Sequence, residues 1–274
     1  MKKILGAIAA LAMTVGLAAC GTPASQGTAN QNQLVVGMEA GYPPFNWTQK
    51  DDSNGAVKIQ GTDQYAGGYD VEIAKRVAKQ LGKELVIVKT EWDGLTPALV
   101  SGKIDAIIAG MSPTEERKAT IDFTDSYYDS QLVLVVKKGS KYANATSLAD
   151  FAGAKVTAQL NTFHYSVIDQ IPGVDKQAAM DNFPAMRVAL QAGTIDAYVS
   201  ELPEAISAQA ANSDFVMVKL TDGFKTSPED TQTAVGVKKD SPLTKEINEA
   251  LKTISSEERQ QIMQEAIKNQ PAAE

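Results

Sequence analysis

Residues 104–136, IDAIIAGMSPTEERKATIDFTDSYYDSQLVLVV, decide the fold of this chain. The apolar run Ile104–Ala109 predicts a buried strand, and the residues after it, Gly110–Pro113, predict a turn with free backbone N–H groups. In an open α/β sheet, ligands bind just beyond the carboxyl ends of the strands. Arg117 lies five residues after Ser112, and a guanidinium can bind a carboxylate through two parallel hydrogen bonds. The stretch therefore predicts an α/β fold with a carboxylate-binding turn at a strand end.

A nine-residue pattern from this region occurs twice. Residues 98–106 read ALVSGKIDA and residues 189–197 read ALQAGTIDA, a shift of 91 positions. Both copies are typical of a helix that ends at a glycine and is followed by a buried strand. The shift is too long for a solenoid repeat and fits two α/β lobes of similar plan. It places Gly110 opposite Glu201, so we expect both strand ends to face one cleft, unless two common helix–strand units resemble each other by chance.

The N-terminus has the pattern of an export signal. Met1–Lys3 is cationic, and the apolar run Ile4–Ala19 has the length of a signal peptide but is too short to span a membrane. Its ending, Leu-Ala-Ala-Cys-Gly, resembles a bacterial lipoprotein signal, in which the cysteine carries acyl chains such as palmitate. We expect residues 1–19 to be removed, Cys20 to be anchored in the cell membrane on its extracytoplasmic face, and residues 20–33 to form a flexible tether. A plain secretory signal is the alternative.

Composition excludes several classes of site. Cys20 is the only cysteine among 274 residues, so the chain can form no intramolecular disulfide and no cysteine-based metal site. The formal net charge of −7 becomes more negative when Lys2 and Lys3 are removed, which argues against nucleic acid or anionic lipid as partners of the folded domain. We find no nucleophile–base pair, metal-binding constellation or phosphate loop, and we expect no cofactor.

The rest of the chain alternates predicted strands and helices, which calls for mainly parallel sheets. Residues 34–38 are predicted to form the first strand, and Asp70 is predicted to cap a helix that stops at Gly82. The polar residues 48–66 predict an exposed excursion. Amphipathic helices near 242–254 and 256–268 are expected to end the chain.

Several motifs together resemble family 3 of the bacterial extracellular solute-binding proteins, the polar amino-acid receptors of ABC importers. The resemblance runs from about residue 34 to residue 268. The motifs are GYDVEI at 68–73, Tyr42-x-Pro44-Phe45, IDAII at 104–108, Ser112-x-Thr114-x-x-Arg117 and Phe123-Thr-x-x-Tyr127.

The resemblance implies a type II periplasmic-binding-protein-like fold, with two α/β lobes that are joined by two crossovers and close on one amino acid. Lobe 1 would comprise residues 34–128 and 226–270, and lobe 2 residues 129–225. The crossovers would lie near residues 127–132 and 219–225. The protein would act as a monomer and deliver a free amino acid to the transmembrane subunits of an ABC permease.

The resemblance also implies a ligand site. Arg117 would bind the ligand α-carboxylate and Glu201 the α-ammonium, while Tyr42 and Trp92 would sandwich the side chain. The site residues implied are Arg117, Glu201, Ser112, Gly110, Glu39, Tyr42, Trp92, Thr162 and Asn161. From the residues alone, Arg117 could equally belong to a solvated helix surface, and an aromatic residue in a loop more often serves packing.

Glu39 bears on the identity of the ligand. It lies three residues before Tyr42, where the family's basic-amino-acid receptors place an acid that faces the ligand side chain. A further negative charge in a closed cleft is costly unless a cation meets it, so we expect arginine, lysine or histidine as the ligand. Alternatively, Glu39 caps backbone amides or pairs with a lysine, and the ligand is neutral, such as glutamine or cystine. A dehydratase-type enzyme and an adhesin or sensor lipoprotein are the other classes. His164, the sole histidine, is expected to be a helix residue near the cleft rim without a special role; contact with the ligand is the alternative.

Overall fold

The computed structural model describes residues 32–271. The predicted signal peptide, Cys20 and most of the predicted tether lie outside the described residues. The strands are β1 Gln33–Met38, β2 Gly41–Tyr42, β3 Asn46–Gln49, β4 Val57–Lys58, β5 Tyr65–Gly67, β6 Glu84–Lys89, β7 Ala106–Ile107, β8 Asp122–Asp129, β9 Leu132–Lys137, β10 Lys155–Thr157, β11 Asp175–Lys176, β12 Ala197–Glu201, β13 Phe215–Val218 and β14 Gln232–Val237. The helices are α1 Tyr69–Gln80, α2 Trp92–Ser101, α3 Glu115–Lys118, α4 Phe163–Val167, α5 Phe183–Ala192, α6 Leu202–Ala211, α7 Leu243–Lys252 and α8 Ser256–Asn269. Within this part of the chain, no helix is long and apolar enough to cross a membrane.

Two five-stranded sheets with matching plans form the framework. Their strand orders are β6-β1-β7-β14-β8 and β11-β10-β12-β9-β13. In each sheet the first three strands are parallel, whereas β14 and β9 insert antiparallel to their neighbours. The expectation of mainly parallel sheets is therefore confirmed for the first three strands of each sheet and wrong for the pairings of β9 and β14. β9 and β14 each enter from the other sheet, and no crossover helix is present to turn them parallel.

The repeated sequence occupies equivalent places in the two sheets. Ala106 pairs with Val36 in the first sheet, and Ala197 pairs with Val156 in the second. β7 and β12 are each the third strand of their sheet, between a parallel strand and an inserted one. This arrangement confirms the two-lobe fold that the repeat predicted; the residue boundaries of the lobes remain a prediction.

The chain passes between the sheets twice, at adjacent points. It leaves the first sheet at the end of β8 and enters β9 after only residues 130–131. It returns through residues 219–231 into β14. The Ser130 N–H donates to the Thr231 carbonyl oxygen at 2.8 Å, and Asp129 pairs with Gln232. The two connections are thus hydrogen-bonded to each other.

The predicted polar excursion contains a small sheet of its own, in the order β2-β3-β5-β4. Residues 50–56 are exposed for most of their length, but Trp47, Ile59 and Ala66 are buried in the core of the first lobe. The apolar residues at either end anchor the excursion, and the sheet holds Tyr42 at the edge of the cleft.

Asp70 is not the helix cap that the sequence predicts. α1 begins at Tyr69, and Gly68 takes the cap position with φ 120°; a Cβ at Gly68 would lie 2.4 Å from the Phe45 carbonyl oxygen. The Asp70 carboxylate turns inward instead. It accepts hydrogen bonds from Asn46 Nδ2 at 2.7 Å and Tyr127 Oη at 2.8 Å. Burial raises the pKa of Asp70 to about 7, against the opposing effect of these two bonds.

Candidate functional site

Side chains from both lobes meet in the cleft between the two sheets. The ring of Tyr42 from the first lobe stacks on Phe183 from the second, with centroids 4.4 Å apart. Asn161 Nδ2 of the second lobe donates to Asp93 Oδ1 of the first at 2.8 Å. Contacts at these distances describe a closed cleft, and the site residues predicted from the sequence can be located relative to it.

Arg117 is held by backbone groups on both sides of the cleft. Thr114 caps the short helix α3 and accepts a hydrogen bond from the Arg117 N–H. Nη1 of Arg117 donates to the Ser112 carbonyl at 2.9 Å, and Nη2 donates to the Asn161 carbonyl at 3.1 Å. The guanidinium lies over the ring of Trp92, 5.0 Å from its centroid. Burial lowers the pKa of Arg117 to about 10, so the group stays charged at neutral pH and can bind an anion.

Glu201 is the last residue of β12 and occupies the N-cap position of α6. Its side chain is 1% exposed, and Oε1 lies 3.3 Å from His164 Nε2. Within residues 32–271, neither carboxylate oxygen nor the Tyr42 hydroxyl has a hydrogen bond of good geometry, although the Tyr42 hydroxyl and the Glu201 carboxylate face each other. Burial and the negative charge of Glu201 hold the pKa of Tyr42 well above its usual range. Glu201 is therefore a buried acid suited to bind a cation.

A second buried acid, Glu204, lies one turn further along α6 and is fully paired. It accepts hydrogen bonds from Arg187 Nε at 2.9 Å and Nη2 at 2.7 Å, and from the Tyr198 hydroxyl at 3.2 Å. Ser200 Oγ also donates to it. Since its acceptor sites are filled within the lobe, Glu204 is a structural acid.

Glu39 follows β1 at the floor of the cleft and is 5% exposed. Gln159 Nε2 of the other lobe donates to its two oxygens at 3.2 and 3.4 Å. Burial raises the pKa of Glu39 to about 7; the Gln159 bond lowers it, and the charge of Glu91 raises it further. The carboxylate is therefore protonated more readily than an exposed glutamate, and a nearby cation would favour its ionised form.

The cavity between these groups is lined by Tyr42, Trp92, Gly110, Ser112, Arg117, Gln159, Thr162, Phe163, His164 and Phe183. Six of these ten residues are among those predicted from the sequence. Asn161 lies at the wider mouth of the cleft, next to Trp92 and Arg117. Glu201 and Glu39 adjoin the cavity through their contacts with His164 and Gln159.

The sequence and the fold of this chain match those of known proteins. The model of the bacterial extracellular solute-binding proteins, family 3, matches residues 34–269. The chain belongs to this family. As a member it is a solute-binding protein rather than an enzyme.

Two sequence relatives and one solved structure illustrate the match. The arginine-binding extracellular protein ArtP of Bacillus subtilis is 30% identical, over 92% of each chain. The ABC transporter glutamine-binding protein GlnH of Bacillus subtilis is 32% identical, over 99% of this chain and 100% of its own. The crystal structure of the substrate-binding protein AbpA of Streptococcus pneumoniae, bound to L-arginine, superposes with a TM-score of 0.74 at 27% identity, over 87% of this chain and 95% of that chain.

In this solute-binding protein, Gly110, Ser112 and Thr162 have fewer hydrogen-bonding groups free for a ligand than the sequence predicted. Gly110 donates its N–H to Tyr127 Oη at 3.1 Å, which leaves only its carbonyl for a ligand. The Ser112 hydroxyl donates to the Asp230 carbonyl at 2.9 Å. The Thr162 hydroxyl likewise donates to the Gln159 carbonyl at 2.7 Å. As hydrogen-bond donors to a ligand, Ser112 and Thr162 are thus limited to their backbone N–H groups.

The aromatic side chains of the solute-binding protein are paired differently from the predicted sandwich. Tyr42 lies between Phe45, at 4.9 Å, and Phe183, at 4.4 Å, whereas Trp92 faces the Arg117 guanidinium. Besides Phe163 and His164, which line the cavity without a predicted role, sequence reasoning missed Phe183 and Gln159. Both lie at ends of elements that point into the cleft, so the strand-end rule could have selected Gln159; a phenylalanine in the first turn of α5 gives no signal beyond packing.

Proposed function

We propose that this protein is the substrate-binding component of an amino-acid ABC importer and that its substrate is a cationic amino acid: arginine, lysine or histidine. The observation that carries the choice of substrate is Glu39. Its buried carboxylate is held by one neutral amide, from Gln159, and its raised pKa reports an unfavourable charge. A cationic side chain in the cavity would remove that cost.

In this proposal each charged group of the ligand has a counterpart. Arg117 binds the α-carboxylate, because its planar fork can donate two parallel hydrogen bonds. Glu201 accepts the α-ammonium. Glu39 neutralises the side chain, and the Tyr42 and Trp92 rings line the cavity beside its apolar stem.

A neutral polar amino acid such as glutamine is the second candidate. It is supported by the Gln159–Glu39 hydrogen bonds, since a partly satisfied or protonated Glu39 could lie beside a neutral amide. The relatives include receptors named for arginine and for glutamine. A dehydratase or another enzyme on this fold finds no support in the family match.

Delivery to the permease and attachment to the membrane complete the proposal. The protein would work as a monomer that is held at the extracytoplasmic face by acyl chains on Cys20. The support is the lipoprotein-like signal in the sequence. Membrane fractionation of a Cys20→Ala variant tests it, and a variant that remains in washed membranes after processing would contradict it.

The test of the substrate is a thermal-shift screen of the twenty amino acids, followed by calorimetry on Glu39→Gln. We expect arginine, lysine or histidine to raise the Tm most, and Glu39→Gln to weaken that binding about a hundredfold, or about 2.7 kcal/mol. Glu249→Gln, which makes the same change on the exposed face of α7, is the matched control. A neutral amino acid as the best stabiliser, or unchanged cation binding in Glu39→Gln, would contradict the charge argument.

A further inference from the structure

His164 is the only histidine of the chain, and it lies inside the cleft. It is the second residue of α4 and is 6% exposed. Its ring lies against Phe163, and its Nε2 is 3.3 Å from Glu201 Oε1. His164 also lines the cavity that holds Arg117 and Tyr42.

Several polar atoms at this point of the cavity lack hydrogen bonds. In the part of the chain that the structure describes, they are both ring nitrogens of His164, both carboxylate oxygens of Glu201 and the Tyr42 hydroxyl. Buried polar atoms are nearly always hydrogen-bonded in folded proteins. Such a cluster therefore marks the place where a polar ligand group binds, and the acid within it requires that group to be a hydrogen-bond donor.

We propose that His164 and the ammonium group of the bound amino acid compete for the Glu201 carboxylate, so that ligand binding expels one proton from His164. This inference rests on the proposed function. Before the ligand enters, the imidazolium neutralises Glu201 across the 3.3 Å contact. The ligand ammonium then takes that place, the His164 proton leaves to solvent, and the freed nitrogen lone pair can accept a hydrogen bond from the ammonium.

The other charged and titratable groups around this pair set the direction of the effect. Arg117, on α3, interacts with Glu201 and adds a cation on the opposite wall. Asp70 on α1, Tyr42 on β2 and Tyr128 on β8 also interact with Glu201. With Arg117 and the ligand ammonium both present, a third cation is unfavourable, so the bound state selects neutral His164. Affinity should therefore fall as pH falls through the range in which a histidine protonates.

Glu39 and Asp70 must be separated from this effect. Burial raises the pKa of each to about 7, so both exchange protons in the same range. A cationic ligand that ionises Glu39 would also release a proton. The experiment therefore needs a signal that belongs to His164 alone and a background without Glu39.

Nuclear magnetic resonance supplies the specific signal, because the processed protein without a polyhistidine tag has a single imidazole. The ring shifts of histidine-labelled protein at about pH 6 give the protonated fraction with and without saturating L-arginine, or the amino acid that the screen selects. We expect the protonated fraction to fall on saturation. An unchanged fraction would overturn the inference.

Calorimetry in buffers of different ionisation enthalpy then counts the protons released. In the Glu39→Gln background, we expect ligand binding to release a proton at about pH 6, and we expect this release to disappear when His164→Gln is added. The loss of affinity between pH 8 and pH 6 should also be about fivefold smaller in the double variant than in Glu39→Gln alone. If His164→Gln only lowers affinity equally at both pH values, His164 is structural and the inference is wrong. Failure of every amino acid to bind would instead reject the proposed function, and the inference with it.

Discussion

The two copies of the repeated sequence form the same framework of a helix and a strand, but the residues that follow them carry opposite charges. In lobe 1, Asp105 Oδ2 accepts a hydrogen bond from the Val35 N–H at 2.9 Å; in lobe 2, Asp196 Oδ2 accepts one from the Lys155 N–H at the same distance. The glycines that end the preceding helices, at 102 and 193, have φ of 78° and 74°. Beyond the strands the similarity ends.

The strand end of lobe 1 supplies a glycine and, shortly after it, a cation. Gly110 has φ 62°, and a Cβ there would lie 2.7 Å from Tyr42 Cε1. The equivalent position in lobe 2 is Glu201, a buried anion. The α-ammonium and α-carboxylate of an amino acid carry one charge of each sign, so a site that divides these two groups between the lobes needs both lobes to hold the ligand. The comparison teaches that the repeat provides the frame of both lobes; in the proposed function, the residues that differ between the two strand ends recognise the ligand.

Removing the cation of lobe 1 should have the largest effect. We expect Arg117→Ala to weaken amino-acid binding several hundredfold, or about 3–5 kcal/mol, because a desolvated carboxylate would lose its partner. Titration calorimetry measures this. Lys118→Ala, the exposed neighbour, should bind as the unaltered protein does, and Arg117→Lys should recover only part of the loss. A loss below tenfold in Arg117→Ala would contradict the assignment.

Removing the Glu201 carboxylate from lobe 2 should have the second largest effect on affinity. We expect Glu201→Gln to weaken binding about a hundredfold, because the ligand ammonium would lose its counter-charge. The Tm of the free protein should fall little, because the 3.3 Å contact with His164 is the ion pair that is lost. Glu204→Gln is the contrasting change. It breaks a buried pair with Arg187 and should cost about 3 kcal/mol of unfolding free energy with little change in affinity. If Glu201→Gln instead lowered stability and Glu204→Gln lowered affinity, Glu204 would be the acid that binds the ligand.

The contrast between Gly110 and Gly193 isolates the contact with Tyr42. Both glycines have positive φ, so the backbone strain of alanine should cost about 1 kcal/mol of unfolding free energy at either position, and the contact with Tyr42 adds to this at Gly110. At Gly193 a Cβ would meet nothing within 4 Å, and we expect unchanged affinity. At Gly110 it would displace Tyr42, and we expect about tenfold weaker binding. Equal affinities of the two variants would show that Tyr42 does not form the ligand surface.

The smallest effect is expected at the mouth of the cleft. Asn161 joins the lobes through its side-chain bond to Asp93 at 2.8 Å, and it has φ 54°. Asn161→Gly removes the side chain and tolerates this backbone conformation, so it should weaken binding only about threefold, the value of one exposed hydrogen bond. Asp93→Asn keeps an acceptor and serves as the control. A loss as large as that of Arg117→Ala would mean that closure, rather than charge, dominates affinity.

Much of the fold and part of the site could be predicted from the sequence. The repeat at 98–106 and 189–197 placed β7 and β12 in equivalent strands, because a helix end, a glycine and a buried strand are local patterns. Arg117 and Glu201 were predicted as site residues from the ends of the repeated strands together with the resemblance to the family. Whether the predicted residues bind the ligand awaits the variants above.

What the sequence did not reveal depends on distant contacts. Asp70 has the sequence pattern of a helix cap, but Asn46 and Tyr127 draw its carboxylate into the interior. The stack of Tyr42 on Phe183 and the bond of Gln159 to Glu39 join residues more than a hundred positions apart. These contacts join the two lobes, and no local periodicity encodes them.

The two connections between the lobes have a mechanical consequence. The two connections form one two-stranded ribbon rather than two independent segments. The Ser130 N–H donates to the Thr231 carbonyl, and the next residues, Asp129 and Gln232, are paired. A ribbon bends across its face far more easily than it twists or shears in its plane. We therefore expect the two lobes to move about a single hinge axis, so that each closure of the cleft returns Gly110 and Glu201 to the same relative position.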